Sequence, residues 1–131
     1  MPAIELTENE IIVSLKPWEV MLSFQKSFRI PLSHVTGAKD DETCRGWNLG
    51  MRSPGTGIPG IISAGTYLKA GDIQFVFITR GTHPIVLELQ HEKWQRLIIG
   101  VNYPRRLVVA INAAIENHAN PAGLVQPAVY P

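Results

Sequence analysis

The chain has 131 residues, with 12 Lys and Arg against 11 Asp and Glu, a net charge of +1 and a single cysteine. That length supports one domain with its own core. The charge balance lacks the basic excess from which nucleic-acid binders draw affinity, and one cysteine excludes an internal disulfide and a cysteine-based zinc cluster. Charged residues make up only 18% of the chain, against about 25% in soluble domains, while apolar residues hold 45%. Something other than charge must therefore cover part of the surface.

Met1-Pro2-Ala3-Ile4-Glu5 begins as ordinary domain sequence, without a basic start, an apolar run and a cleavage site. The longest apolar stretch, Leu107 to Ile115, falls far short of the about 20 residues that span a bilayer. A cytoplasmic protein is the expectation. Ile4-Glu5-Leu6 and Ile11 to Leu15 form a hairpin across the polar spacer Thr7-Glu8-Asn9-Glu10. Pro17 opens a short helix, Trp18 to Phe24, with Glu19 in its first turn and Trp18, Met21 and Leu22 on one side. Ser27 to Ser33 alternates apolar and polar, and Pro31 places that strand at an edge or beside a bulge. His34 to Ala38 and Cys44 to Met51 read as strands separated by the Asp40-Asp41-Glu42 turn. Ile61 to Leu68, Asp72 to Thr79, Pro84 to Gln90 and Gln95 to Val101 follow, with turns at Ala70-Gly71, Gly81-Thr82 and His91-Glu92. The pattern is a meandering antiparallel β protein. Pro104 starts the one long helical pattern, whose stripe Leu107, Val108, Ile111, Ala114 and Ile115 runs to about Asn117 and caps the sheets. Residues 119–131 read as an extended tail containing Pro121, Pro127 and Pro131, leaving 1–118 as the domain.

Between two β segments lies Arg52-Ser53-Pro54-Gly55-Thr56-Gly57-Ile58-Pro59-Gly60, which contains the spacing G-x-G-x-x-G. In a dinucleotide site those glycines follow a strand and open a helix whose amides meet the pyrophosphate. Here Pro59 removes an amide, and the strand-like Ile61-Ile62-Ser63-Ala64-Gly65-Thr66-Tyr67 follows. The sequence therefore points to a sharp turn in which Gly55, Gly57 and Gly60 adopt positive φ. Arg52 together with Gly55, Thr56 and Gly57 could still form a small anion nest.

Phe28 to Val35 (FRIPLSHV), the glycine-rich stretch followed by Gly65-Thr66-Tyr67, His83 to Leu89 (HPIVLEL) and Trp94 to Pro104 (WQRLIIGVNYP) resemble a group of small bacterial proteins with a pleckstrin-homology-like domain, over about Ile4 to Ile115. The resemblance implies a mainly β fold, a bent antiparallel barrel or sandwich capped by a C-terminal helix, and it implies no reaction. Eukaryotic pleckstrin-homology domains that hold phosphoinositides use basic residues around the first loop. Here that loop carries Glu8 and Glu10, which repel a headgroup.

Other chemistry is thinly represented. Glu88, His91 and Glu92 would share a helical face, but their segment alternates as a strand, so no metal is expected there. His34, His83 and His118 are scattered. Cys44 with His34 as base lacks a flanking signature and reads as a small buried hydrophobe. Arg105 and Arg106 read as a solvated helix start, with membrane contact not expected; with Arg52 they form the cation set of a rival reading, binding of an anionic ligand or lipid headgroup. No cofactor is implied.

With Ile11, Val13, Leu15, Phe75, Phe77, Ile85, Leu87, Leu89, Leu97, Ile99 and Val101 taken as core, the opposite parity still carries Ile12, Val76, Ile78, Val86 and Ile98. A sheet face exposed to water is ordinarily polar. This surplus points to an interface between copies of the chain, with Leu124 and Val125 of the tail as further contacts. The expectation is a non-enzymatic module that self-associates and binds protein or peptide. Anion binding is the alternative, and an unrecognised enzyme comes third.

Overall fold

Nine strands and two α-helices run through residues 2–58 and 60–119, the residues described by the structure, a computed structural model. Leu124, Val125 and the rest of the expected tail lie outside the described residues. Strands β1 (Ala3–Leu6), β2 (Glu10–Ser14) and β3 (Phe28–Pro31) form an antiparallel sheet in that order. Strands β4 (Val35–Asp40), β5 (Met51–Ile58), β6 (Ile62–Lys69), β7 (Asp72–Thr79), β8 (His83–Leu89) and β9 (Arg96–Val101) form a six-stranded sheet in the order β4-β8-β9-β7-β6-β5. Helix α1 (Pro17–Ser23) follows β2, and α2 (Pro104–Ala119) ends the described fold. The protein is thus a mainly β, two-sheet sandwich capped by a C-terminal helix, an architecture consistent with a pleckstrin-homology-like fold, with sheets that do not close into a barrel.

Local chemistry sets the corners. Thr7 closes the first hairpin, its Oγ1 accepting from the Glu10 amide and its own amide donating to the Glu10 carbonyl. Pro31 ends β3 on the edge of the small sheet, where its missing N–H is harmless. A 3₁₀ turn, Leu32–His34, then carries the chain into the large sheet. In α1, Glu19 Oε1 accepts from the Lys16 amide and Phe24, at φ 60°, stops the helix. The helix turns Glu19 and Ser23 inward, with Val20 and Leu22 packed beside them, and leaves Trp18 and Met21 largely outside. Of the apolar side read from the sequence only Leu22 packs inward; Glu19 and Ser23 turn in with bonds made inside the helix itself, the carboxylate accepting from the Lys16 amide and the Ser23 hydroxyl donating to the Glu19 carbonyl.

Three sequence expectations need correction. Cys44 to Met51 is not a strand: Gly46–Leu49 forms a 3₁₀ turn, and the strand begins at Met51. The glycine-rich stretch is not a turn but most of β5, paired with β6 and bulged between Arg52 and Gly55. Nor is the large sheet a simple meander, because β9 lies between β7 and β8 and runs parallel to β7. The β7–β8 connection must therefore cross the end of β9. Gly100 makes room for it, since a Cβ there would collide with Thr82 Oγ1.

The expected core residues are all buried in one cluster, between the large sheet on one side and the small sheet, α1 and α2 on the other. Helix α2 contributes Ile111 and ties down the outer edge of β4: Asn112 accepts from the Ala38 amide and donates to the Ala38 carbonyl, both at 2.9 Å. The opposite face of the large sheet carries a second buried cluster of Leu49, Tyr67, Val76, Ile78, Val86 and Ile98, with Cys44 against it. The inference that Val76, Ile78, Val86 and Ile98 form an interface is thereby overturned. Residues 41–50, read as turn and strand, instead wall off that face from within the same chain. Of the five, only Ile12 keeps partial exposure, on the outside of the small sheet between Glu5 and Arg29, whose stems flank it.

Candidate anion-binding cleft

Register places one row of side chains across the second face of the large sheet. Glu88 stands beside Arg96, Arg96 beside Gln74, Gln74 beside Tyr67 and Tyr67 beside Arg52, from β8 to the outer strand β5. The inner members satisfy one another. Arg96 donates from Nε to Gln74 Oε1 at 3.1 Å and from both terminal nitrogens to Asp72, and the buried Gln74 donates to the Leu49 carbonyl at 2.8 Å. Arg52, at the end of the row, has no hydrogen-bond or ion-pair partner among the described residues. Arg29 and Arg45 do, on Glu10 and Glu42.

Arg52 lies back along its own strand, with its guanidinium over Gly57. A Cβ at Gly57 would strike Nη1 and sit 3.1 Å from Cζ. Gly55 is required by the backbone: its φ is positive, and a Cβ would run into the Ala64 carbonyl of β6. Around the guanidinium is a cleft of about 540 Å³, lined by Gly46, Gly50, Met51, Gly57, Ile58, Ser63 and Tyr67. Among the described residues no carboxylate lines it.

Of the six residues expected to bind an anion, only Arg52 and Gly57 come together. The amides of Gly55 to Gly57 belong to a strand and do not form a nest. Thr56 points to the opposite face, where its hydroxyl donates to the Leu22 carbonyl at 2.9 Å. Arg105 and Arg106 sit at the start of α2 beside Asp40 and His83, with Arg106 over the Tyr103 ring. That end borders β4, the outer strand on the other side, roughly 24 Å away across five strand spacings. Ser63 and Tyr67 escaped the sequence reading. Once β5 is recognised as a strand, their parity opposite Ile62 and Ala64 places them on the side of Arg52.

The remaining candidates are spent locally. His34 Nδ1 lies 2.6 Å from Glu92, and His83 Nδ1 lies 2.6 Å from Glu42, which also pairs with Arg45. The structure does not bring His34 to Cys44. The thiol sits against the second cluster, and burial, followed by the charge of Asp41, pushes its pKa up, so it stays protonated at neutral pH. A nearby depression of about 280 Å³ holds Lys39, Lys69 and Arg96, but with Asp41 and Glu88 among them. No group of three His, Cys, Asp or Glu side chains among the described residues could hold a metal ion, and no described helix is long and apolar enough to cross a membrane. Comparison of the chain with protein-family models, with curated proteins and with solved structures found no match.

Proposed function

We propose that the protein is a non-catalytic, pleckstrin-homology-like binding module of the cytoplasm that self-associates, through a surface other than the one its sequence suggests. One observation carries this reading: six uncharged side chains are between 38% and 77% exposed, three on α1 and its C-cap and three on the face of the large sheet that α1 packs against. Trp18 and Met21 stand at helical spacing on α1 and Phe24 follows at its C-cap, and the helix rests on that face through the contact of Trp18 with Phe77. Met51, Leu68 and Ile73 stand side by side across β5, β6 and β7. The chain returning from α1 to Phe28, whose ring meets Phe75 edge to face, borders that row.

The occupant is a second copy of the chain. At these exposures the six side chains present roughly 700 Å², near the about 800 Å² per partner of a standard interface. None of the six is charged, so two copies related by a twofold axis can meet there without burying an ion among them. A net charge of +1 offers little long-range repulsion. Sedimentation velocity up to the millimolar range tests the proposal. A dimer is expected, with Met21→Asp and Leu68→Lys each giving a folded monomer. A wild-type chain that stays monomeric, or variants that still dimerise, would overturn it.

A further inference from the structure

We infer that the cleft around Arg52 is a binding site for a small organic oxyanion, a carboxylate or phosphate monoester carried on an apolar body. Four features select that chemistry. The guanidinium offers up to five N–H donors in a planar fork matched to two oxygens of one anion, and none is taken by another described residue. No Asp or Glu among the described residues lines the cleft, whereas Arg45 and Arg96, also on this side of the molecule, have carboxylates beside them: Arg45 has Glu42, and Arg96 has Asp72 and Glu88. Met51, Ile58 and the Tyr67 ring provide apolar walls, and about 540 Å³ lies within the range of sites that enclose small molecules. Finally, Gly57 leaves the guanidinium a seat on the strand, which limits the side-chain freedom lost on binding.

The site has a direction as well as a charge. A smaller hollow of about 140 Å³ shares Gly46 and Ser63 with the cleft and continues past Ile61 and Ile62 to Arg80. Arg80 has no ion-pair partner among the described residues, and its amide donates to the Ile61 carbonyl, which fixes its backbone at the end of β7. A ligand anchored at Arg52 can thus extend over Ser63 toward a second cation. Arg52, Gly57, Ser63 and Tyr67 lie on the face of the large sheet turned away from α1, and Met51, at the outer strand, borders both this cleft and the apolar face proposed for self-association.

Titration calorimetry with amide shift mapping, in a low-salt buffer without phosphate, tests the assignment using phenyl phosphate, hexanoate, inorganic phosphate and hexanol as probes. Saturable binding of phenyl phosphate or hexanoate is expected, weakening with added salt and shifting the amides of Gly46, Gly57 and Ser63. The tighter of the two names the source, phosphate ester or carboxylate. Arg52→Gln should lower affinity at least about tenfold, Arg52→Lys less, and the double variant Arg105→Gln/Arg106→Gln not at all. Three outcomes would overturn the inference: no saturable binding by either organic anion, equal binding by hexanol or inorganic phosphate, or a folded Arg52→Gln variant with unchanged affinity.

Discussion

Truncating Leu49 to alanine examines the claim that the chain supplies the wall of its own second core. Leu49 is fully buried against Tyr67, Val76, Ile78, Val86 and Ile98, in a segment that would otherwise lie on the surface. Removing its three outer carbons forfeits about 0.8 kcal/mol each in transfer free energy, before any penalty for the cavity. The bond from Gln74 to the Leu49 carbonyl survives the change and keeps the backbone from collapsing into the space. A loss of about 3 kcal/mol follows, or a melting temperature lower by roughly 10 °C for a domain of this size. Urea denaturation and thermal melts, run at two protein concentrations, measure it. An internal wall predicts the same difference between wild type and variant at both. A loss below about 1 kcal/mol, or a difference that changes with concentration, would show that residues 41–50 do not seal this face.

Asn112→Ala removes both bonds to Ala38, so the outer edge of β4 should fray: stability falls by about 1–2 kcal/mol, and hydrogen exchange at the Ala38 amide speeds up while that of β9 changes far less. Bonds from His83 and then Arg45 hold the Glu42 carboxyl below its ordinary value of 4.5. A lowered folded-state pKa adds stability that is present above the unfolded value and lost as pH falls through the folded one. The wild type should therefore lose melting temperature more steeply than Glu42→Gln below about pH 4.5, by a small margin given the exposure of the group. Parallel slopes would remove Glu42 from the account.

The strand faces were legible wherever apolar residues alternate at full strength. Period two alone places Phe75, Phe77, Ile85, Leu87, Leu97 and Ile99 on one side, and the structure buries all of them there. The same arithmetic identified Val76, Ile78, Val86 and Ile98 as apolar on the other side. It could not say what covers them, because Asp41, Glu42, Gly46, Asn48 and Gly50 have the composition of a surface loop, and Leu49 alone carries little signal. Strand β5 was hidden by its own glycines, which look like turn chemistry. Gly55 is present instead because the Ala64 carbonyl occupies the space of a Cβ, and Gly57 leaves open the place where the Arg52 guanidinium lies. The parallel pairing of β7 with β9 was equally out of reach, since a two-sheet order depends on contacts between segments and not on the pattern within any one of them. For the cleft, Arg52 was visible as a cation, but its distance from Arg105 and Arg106 was not.

Anyone wishing to splice a tag, a fluorophore or new termini into this protein would choose residues 41–50 by composition, and the architecture argues against it. Widening that stretch would let water reach Val76 and Ile98. The Ala70–Gly71 tip between β6 and β7 is the better place to cut, because both residues are exposed and neither belongs to a buried cluster.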